Sequence, residues 1–207
     1  MKINYNYIAI EGNIGAGKTT LAKFLSNHFN GDLLLEEFNS NKFLSSYYAT
    51  GDCALQMEIQ FLIDRSKQIK DFFKKSKSVI ISDYYPNKSL IFSKINLLKE
   101  EFEITKKLHS LLFKDFNKPE LLIFIDSTID KVYRNIKTRN RNNEEAIDLF
   151  YLEKISMNYE SWLLKLKIPV LRINGETIDY SNPNGLCENF EVLLSKKHSK
   201  NQSKIEF

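Results

Sequence analysis

Short apolar runs alternate along this chain with longer segments in which apolar residues recur at helical spacing. The apolar runs lie at 7–11, 33–36, 79–82, 121–125 and 169–173. The helical segments lie at 20–29, 52–73, 87–97, 101–116, 128–137 and 144–166. Runs that are apolar throughout indicate strands buried on both faces, since a half-buried strand would alternate apolar with polar residues. The pattern therefore predicts an α/β fold in three layers, with helices flanking a five-stranded parallel sheet.

Length and composition favour one globular domain. The chain has 207 residues, of which 43% are hydrophobic and 27% are charged. We expect a single domain over 1–195 and a flexible basic tail over 196–207, where Lys, Ser, Asn and Gln are frequent. No apolar run approaches the length of a membrane span. Cys53 and Cys187 are too few and too far apart for a disulfide framework, so we predict a reducing, cytoplasmic location.

The net charge of +4 is mild. Part of it lies in the tail, and another part lies in a cluster formed by Lys131, Arg134, Lys137, Arg139 and Arg141. A basic balance is typical of nucleic-acid binding, but the phosphates of a small nucleotide also require cations. Charge alone leaves both classes of ligand open.

A glycine-rich segment directly after the first apolar run fits the phosphate-loop pattern G-x-x-x-x-G-K-[ST]. Its residues are Gly12, Asn13, Ile14, Gly15, Ala16, Gly17, Lys18 and Thr19, followed by Thr20. A strand before it and a helix after it would direct backbone N–H groups and a helix N-terminus at a polyphosphate. Lys18 would supply a mobile cation for the outer phosphates, and the Thr19 hydroxyl would bind Mg²⁺. We therefore predict an ATP site over 12–20.

Carboxylates follow three of the predicted strands. Glu36 and Glu37 end the second strand, where one could accept the proton of a hydroxyl that attacks the γ-phosphate; two solvated loop residues are the alternative. Asp83 ends the third strand and is the expected Mg²⁺ partner of Thr19. Asp126 ends the fourth strand and is a rival for that role, although capping the helix that begins near Thr128 is the simpler interpretation.

Arg139 and Arg141 lie between two predicted helices. Residues two apart cannot share a helix face, whereas in a loop both can fold over a phosphate. A mobile arginine-bearing lid would stabilise charge on the transferring phosphoryl group and exclude water. A solvated basic turn is the alternative.

Together these segments resemble the deoxynucleoside kinase family, most of all its bacterial purine-deoxynucleoside members. The similarity extends from about Tyr7 to Leu166 and includes Ile10 to Thr20, Asn41-Lys42 with Tyr47-Tyr48, the arginine segment 139–145, Tyr151-Leu152-Glu153 and Tyr159 to Leu163. The resemblance implies a P-loop kinase fold with an arginine-bearing lid. It also implies ATP-dependent 5′-phosphorylation of a deoxynucleoside in nucleotide salvage, with Mg²⁺ as cofactor. By the same resemblance, long helices around 52–73 and 86–116 would form a homodimer.

The resemblance also assigns residues. Glu36, in Glu36-Glu37-Phe38, takes the position of the proposed general base. Tyr48 and Glu144 match the pair that binds the sugar 3′-hydroxyl, and Lys18, Arg139 and Arg141 match the phosphate-binding cations. Glu58 and Arg65 occupy the base-reading positions of the helix predicted over 52–73.

The chain departs from the family at its Asp/Glu-Arg-Ser motif, which is Asp83-Tyr84-Tyr85 here. The acid is kept, but the arginine that touches the 5′-hydroxyl is not, and we expect Lys88 to supply a substitute cation. The acidic partner of Arg65, expected near Ser89, is also missing. Asn135 replaces a further lid arginine, with Arg134 next to it.

Glu58 favours deoxyguanosine as the substrate. A carboxylate only accepts hydrogen bonds, and guanine presents two adjacent N–H donors, whereas adenine presents a donor beside an acceptor. Gln56 or Gln60 could face the base instead.

Two other functions remain open. A nucleoside-monophosphate kinase such as thymidylate kinase shares the architecture, and Lys88 and Arg65 could bind an acceptor phosphate. A nucleic-acid-associated P-loop ATPase would account for the basic tail. We expect no membrane partner, and nucleic acid is the less expected partner.

Overall fold

A computed structural model describes residues 3–38, 40–141, 144, 146–199 and 202–205. Asn142, Asn143 and Glu145, which belong to the predicted arginine segment, lie outside the described residues. Among the residues that are described, no helix is long and apolar enough to cross a membrane.

The centre of the molecule is a parallel sheet. Its strands in chain order are β1 Tyr7–Gly12, β2 Asp32–Leu34, β3 Ile80–Ser82, β4 Leu121–Asp126, β5 Val170–Asn174 and β6 Gln202–Ile205. Their order across the sheet is β2-β3-β1-β4-β5-β6, and every neighbouring pair is parallel. The chain leaves β1 toward one edge to form β2 and later returns to build β4 and β5 on the other side. A crevice therefore opens at the carboxyl end of β1.

Eight helices connect and cover the strands in the described part of the chain. They are α1 Lys18–Phe29, α2 Leu44–Thr50, α3 Ala54–Lys75, α4 Lys88–Asn96, α5 Lys99–Leu112, α6 Ile129–Arg139, α7 Leu149–Leu163 and α8 Pro183–Leu194.

The two faces of the sheet bury two separate apolar clusters. Successive side chains of a strand point to opposite faces, so Ile8 of β1 joins one cluster and Tyr7 joins the other. The first cluster lies under α1, α6 and α8, and the second lies under α3, α4 and α7. The prediction of a parallel sheet with helices on both faces is confirmed.

A third, smaller cluster lies outside the sheet and beside the carboxyl end of β2. Leu44, Met57 and Phe61 form its buried centre. It joins α2 to α3, and this packing brings two aromatic-rich helices to the mouth of the crevice.

Several elements differ from the predictions. Beyond the five predicted strands, the sheet has an added edge strand, β6, within the segment predicted to be a tail. Helices α2 and α8 were not predicted. Helix α7 begins at Leu149 rather than at 144, because the Asp148 side chain accepts a hydrogen bond from the Tyr151 N–H and caps it there. The flexibility of 196–207 stays a prediction.

Candidate active site

The phosphate loop connects β1 to α1 through two left-handed glycines. Gly15 has φ 82° and Gly17, the N-cap of α1, has φ 95°. A Cβ atom on Gly15 would lie 2.6 Å from the Val132 carbonyl oxygen, because α6 packs directly against the loop. The Asn135 side chain, half-buried on α6, also donates to the Gly15 carbonyl at 2.8 Å. The glycines therefore allow a tight turn that ends at the N-terminus of α1.

Other loop residues hold the turn together. The Asn13 side chain donates to the Leu152 carbonyl at 2.9 Å and accepts from the Ile14 N–H at 2.8 Å. Ala16 donates its N–H to the Asn13 carbonyl at 3.1 Å. Thr20 is exposed on the first turn of α1.

The Lys18 ammonium lies inside this turn. It donates to the carbonyl oxygens of Gly12 at 2.9 Å and Asn13 at 2.8 Å. Burial, together with the nearby positive charge of Lys88, lowers the pKa of Lys18 to about 8. The side chain is therefore a cation that neutral carbonyl groups hold only weakly, next to the N-terminus of a helix.

A chain of hydrogen bonds joins the loop to the ends of β2 and β3. The Thr19 hydroxyl donates to Asp83 Oδ2 at 2.6 Å, and the Glu36 N–H donates to Asp83 Oδ1 at 2.7 Å. Asp83 therefore positions the backbone of Glu36 relative to the phosphate loop.

The oxygen atoms of Thr19 and Asp83 fit a magnesium ion. Mg²⁺ prefers oxygen ligands and is usually bound by one or two carboxylates together with substrate phosphates. Over the described part of the chain, no cluster of three or more His, Cys, Asp or Glu side chains could hold a metal ion by itself. Thr19 and Asp83 would therefore bind Mg²⁺ together with phosphate oxygens that complete its coordination shell.

Glu36 forms an ion triad with two cations. Its carboxylate accepts from the Lys88 ammonium at 2.6 Å and from Arg65 through Nε at 3.0 Å and through Nη2. Burial favours the neutral acid, but Lys88 and Arg65 outweigh it and hold the pKa of Glu36 well below its ordinary value. Glu36 is therefore ionised throughout the neutral range, whereas Glu37 next to it is exposed to solvent.

Arg65 is fixed on three sides. Its Nη1 donates to the Ser89 hydroxyl at 2.6 Å, and its guanidinium lies 4.5 Å from the centre of the Phe61 ring. Glu36 is thus the carboxylate partner of Arg65, and the Ser89 hydroxyl lies near where the resemblance implies an acid. Burial alone would lower the pKa of Arg65, but the contact with Glu36 raises it.

Glu11 is a buried carboxylate that the sequence analysis did not single out. It accepts from the Tyr85 N–H and from the Tyr159 hydroxyl, both at 2.7 Å. Burial raises the pKa of Glu11, and the positive charges of Lys88 and Lys18 oppose this shift. Glu11 therefore places a titratable group beneath the cations of the site.

A cavity of about 660 Å³ begins at the phosphate loop and extends between α2, α3, α4 and α7. This volume lies within the range of small-molecule sites. Most of the predicted site residues line it, namely Ile14, Gly15, Lys18, Thr19, Glu36, Tyr48, Glu58, Arg65, Asp83, Lys88, Arg139, Arg141 and Glu144. Most of the site residues predicted from the sequence therefore lie around one cavity.

Glu58 lies at the cavity wall formed by α3 and α4. Its two oxygens accept from the Ser93 hydroxyl at 2.8 Å and from Asn96 Nδ2 at 2.7 Å. Burial raises the pKa of Glu58, while the bonds from Asn96 and Ser93 oppose the shift. Gln56 is exposed and Gln60 bonds to Asp64, so neither takes the place of Glu58.

The end of α6 carries the predicted lid residues. Arg139 is the last residue of α6 and binds Glu144 through two hydrogen bonds of 2.6 Å. Arg141 lies 3.7 Å from the same carboxylate, and its guanidinium lies 4.6 Å from the centre of the Phe38 ring. Both arginines are thus held by Glu144 at the rim of the cavity.

Tyr48 lines the cavity on the α2 side. Burial raises its pKa well above the ordinary value, and the negative charge of Glu144 adds to the shift. The Tyr48 hydroxyl therefore keeps its proton and is a hydrogen-bond donor beside Glu144.

Asp126, the rival of Asp83, is not part of the cavity. It accepts from Arg172 at 2.7 Å, and Thr128 caps α6 in its place by accepting from the Lys131 N–H. The prediction that Asp126 caps this helix was wrong, because the two residues between it and α6 bring Thr128 to the N-cap position. Arg134 is exposed on α6.

Asn96 and Tyr151 are two of the cavity residues to which the sequence assigned no role in the site. Tyr151 donates to Asn96 at 3.0 Å across the α4–α7 contact. Spacing along the chain gives no signal for this pair, since it depends on how α7 packs against α4.

Comparisons with known proteins agree with this geometry. The model of the deoxynucleoside kinase family matches residues 8–194. The chain is 35% identical to the deoxyguanosine kinase of Bacillus subtilis over 84% of this chain and 88% of that relative. It is 26% identical to the deoxyadenosine/deoxycytidine kinase of the same organism over 95% of both chains.

A solved structure shares the fold. The deoxyadenosine kinase from M. mycoides with bound dCTP superposes with a TM-score of 0.78 at 23% identity, covering 90% of this chain and 99% of that one. The family match extends over nearly the whole chain and includes the phosphate loop and the cavity. This protein therefore belongs to the deoxynucleoside kinase family, a family of phosphotransferases.

Proposed function

We propose that this protein transfers the γ-phosphoryl group of ATP to the 5′-hydroxyl of a purine deoxynucleoside, with deoxyguanosine preferred over deoxyadenosine. The observation that carries the proposal is the position of Glu36. It lines the same cavity as the phosphate loop and Glu58, and Asp83 ties it to Thr19. A hydroxyl bound at Glu36 would face a phosphate bound in the loop.

The loop residues would bind ATP. The backbone of 12–17 and the N-terminus of α1 would cradle the phosphates, and Lys18 would exchange its carbonyl partners for phosphate oxygens. Mg²⁺, held by Thr19 and Asp83, would neutralise charge on the phosphates. Arg139 and Arg141 would leave Glu144 and close on the transferring group.

Glu36 would first orient the 5′-hydroxyl of the substrate. With Lys88 and Arg65 in place its carboxylate is a weak base, but it is charged at neutral pH and accepts the hydrogen bond of the 5′-hydroxyl. Phosphoryl transfer passes through a loose transition state, in which positioning matters more than early deprotonation. Movement of Lys88 toward the developing phosphate charge would raise the basicity of Glu36 and let it take the proton. Lys88 would thereby replace the arginine missing from the family motif.

The sugar and the base would occupy the other end of the cavity. Tyr48 and Glu144 would bind the 3′-hydroxyl, which requires Glu144 to release Arg139. Glu58 would accept the two adjacent N–H donors of guanine, since each of its oxygens keeps a lone pair beyond the bonds from Ser93 and Asn96. The guanidinium of Arg65, which stacks on an aromatic ring of the cavity wall, would lie close to the base.

A homodimer also belongs to the proposal. The exposed apolar residues Leu98, Ile104 and Leu111 on and before α5 support it. Sedimentation equilibrium would measure the mass in solution, and a monomer at micromolar concentration would refute it.

A substrate panel tests the proposed function. We would measure kcat/KM with ATP and Mg²⁺ for the four deoxynucleosides and for thymidine monophosphate. We expect activity on deoxynucleosides, highest for deoxyguanosine. Activity on thymidine monophosphate alone would favour a nucleoside-monophosphate kinase, and salt-sensitive DNA binding without turnover would favour an ATPase acting on nucleic acid.

A further inference from the structure

Asn96, the last residue of α4, connects four helices at the wall of the cavity. Its Nδ2 donates to Glu58 Oε1 on α3 at 2.7 Å. Its Oδ1 accepts from the Tyr47 hydroxyl on α2 at 2.8 Å and from the Tyr151 hydroxyl on α7 at 3.0 Å. Asn96 therefore uses both ends of its amide, and one of those ends contacts the carboxylate that would bind the base.

The surroundings determine which way the Asn96 amide points. Burial raises the pKa of both Tyr47 and Tyr151, so each hydroxyl keeps a proton to donate. If the amide were turned over, its oxygen would face the oxygen of an ionised Glu58, and its N–H₂ group would face the two hydroxyls. The observed orientation places an Asn96 N–H against Glu58 and the Asn96 oxygen against both tyrosine hydroxyls, an arrangement that suits an ionised Glu58.

Glu58 in turn depends on Asn96. No cation contacts its carboxylate directly in the described residues, and Ser93 and Asn96 are the two groups that donate to it. The charged groups that act on Glu58 from a greater distance are Arg65 of α3 and Lys88 of α4. The titratable groups facing it from α2 and α7 are Tyr47, Tyr48 and Tyr151. Loss of the Asn96 donor would therefore favour the uncharged acid.

The protonation state of Glu58 decides which purine it fits. The ionised form offers two acceptors and matches the adjacent N–H donors of guanine. The uncharged form offers one donor and one acceptor and matches the acceptor and donor of adenine. We propose that Asn96 is a positioning residue that sets the preference for guanine over adenine by holding Glu58 as an ionised double acceptor. This inference rests on the proposed function.

The test is the ratio of kcat/KM for deoxyguanosine to kcat/KM for deoxyadenosine between pH 6 and pH 8, where guanine keeps its N1 proton. Asn96→Asp keeps the acceptor for both tyrosines but replaces the donor to Glu58 with a second carboxylate, and two adjacent carboxylates share a proton. We expect the ratio at pH 7 to fall at least tenfold, and to rise again toward pH 8 as the shared proton leaves. The unchanged protein is expected to show a smaller change of this ratio with pH than Asn96→Asp.

Tyr47→Phe is the second variant, since it removes one of the two hydroxyls that orient Asn96 and leaves the cavity lining intact. We expect the ratio to fall about threefold, which corresponds to the loss of one neutral hydrogen bond. Tyr180→Phe is the matched control, because Tyr180 packs against Phe24 away from the cavity, and its ratio should not change. If Asn96→Asp fails to fold, Tyr47→Phe still tests the role of Asn96.

Glu58→Gln separates this inference from the proposed function. If Glu58→Gln leaves the ratio unchanged, the proposed guanine preference is wrong and the role of Asn96 falls with it. If Glu58→Gln lowers the ratio but Asn96→Asp and Tyr47→Phe do not, Glu58 binds guanine without Asn96 and only the inference is overturned. Equal losses for both purines in Asn96→Asp, with no pH dependence of the ratio, would also overturn it.

Discussion

Replacing Glu36 with glutamine tests the ion triad between the phosphate loop and the cavity. The carboxylate accepts hydrogen bonds from Lys88 and Arg65, and its side chain is only 14% exposed. Glutamine has nearly the same shape, but it carries no charge and turns an N–H₂ group toward one of the cations. The substitution therefore leaves two neighbouring positive charges without their shared counterion.

The expected cost depends on pH. Removing one partner of a buried ion pair costs about 3–5 kcal/mol of unfolding free energy, and we expect about 3 kcal/mol at pH 7, since the open cavity admits water that screens the charges. Burial opposes the ionisation of Glu36, but Lys88 and Arg65 hold its pKa below the ordinary value of 4.5. A carboxylate with a lowered pKa stabilises the fold above the pKa of the unfolded chain, and this contribution falls by about 1.4 kcal/mol per pH unit below it. The cost at pH 3 is therefore about 1 kcal/mol.

Urea unfolding of the two proteins at pH 7, 5 and 3 measures this difference. Glu37→Gln is the matched control, because Glu37 is the exposed neighbour of Glu36 and its replacement should change the unfolding free energy by less than about 0.5 kcal/mol. A cost for Glu36→Gln that is below about 1 kcal/mol at pH 7, or that is the same at pH 7 and pH 3, would refute the buried ion triad.

Two further predictions concern the phosphate loop. Because the pKa of Lys18 is about 8 in the nucleotide-free protein, calorimetry should show ATP affinity falling by up to about tenfold per pH unit above pH 8. Lys18→Met should bind ATP weakly and without this decrease. An ATP affinity of the unchanged protein that does not vary with pH would contradict the prediction. Gly15→Ala should abolish ATP binding and lower the unfolding free energy by more than 2 kcal/mol, as its Cβ would lie 2.6 Å from Val132 oxygen. Gly51 has a similar φ of 79° but open space around it, so Gly51→Ala should lower the unfolding free energy by only about 1 kcal/mol. Equal losses of unfolding free energy at the two glycines would disprove the steric argument.

The sheet was predictable because its first five strands are short and mostly apolar, and β1, β3 and β4 are buried on both faces. The edge strand β6 was not, since the segment 202–205 is mostly polar and pairs on one side only, with β5. Helix α8 has a local signal at its N-terminus. Asn182 caps it and Pro183 occupies its first turn, a combination typical of helix starts. In this sequence the pair lies among Ser, Asn and Gly residues, which resemble a turn.

The site residues that directly follow the ends of strands could be predicted from the sequence. Spacing alone could not choose between Glu36 and Glu37, because adjacent strand residues point to opposite sides and the buried side depends on tertiary contacts. The hydrogen bond from the Glu36 N–H to Asp83 supplies that information. Asn96 belongs to no motif, and Glu11 lies in the segment 10–20 but had no role assigned there; the partners of both come from helices and loops remote in sequence.

The central claim is that a hydroxyl bound at Glu36 receives the terminal phosphoryl group of ATP. The most direct measurement follows the label from γ-³²P-ATP during incubation with Mg²⁺ and deoxyguanosine. The account predicts labelled deoxyguanosine 5′-monophosphate and an equal amount of ADP. Labelled inorganic phosphate without any labelled nucleotide product from any of the four deoxynucleosides would contradict it.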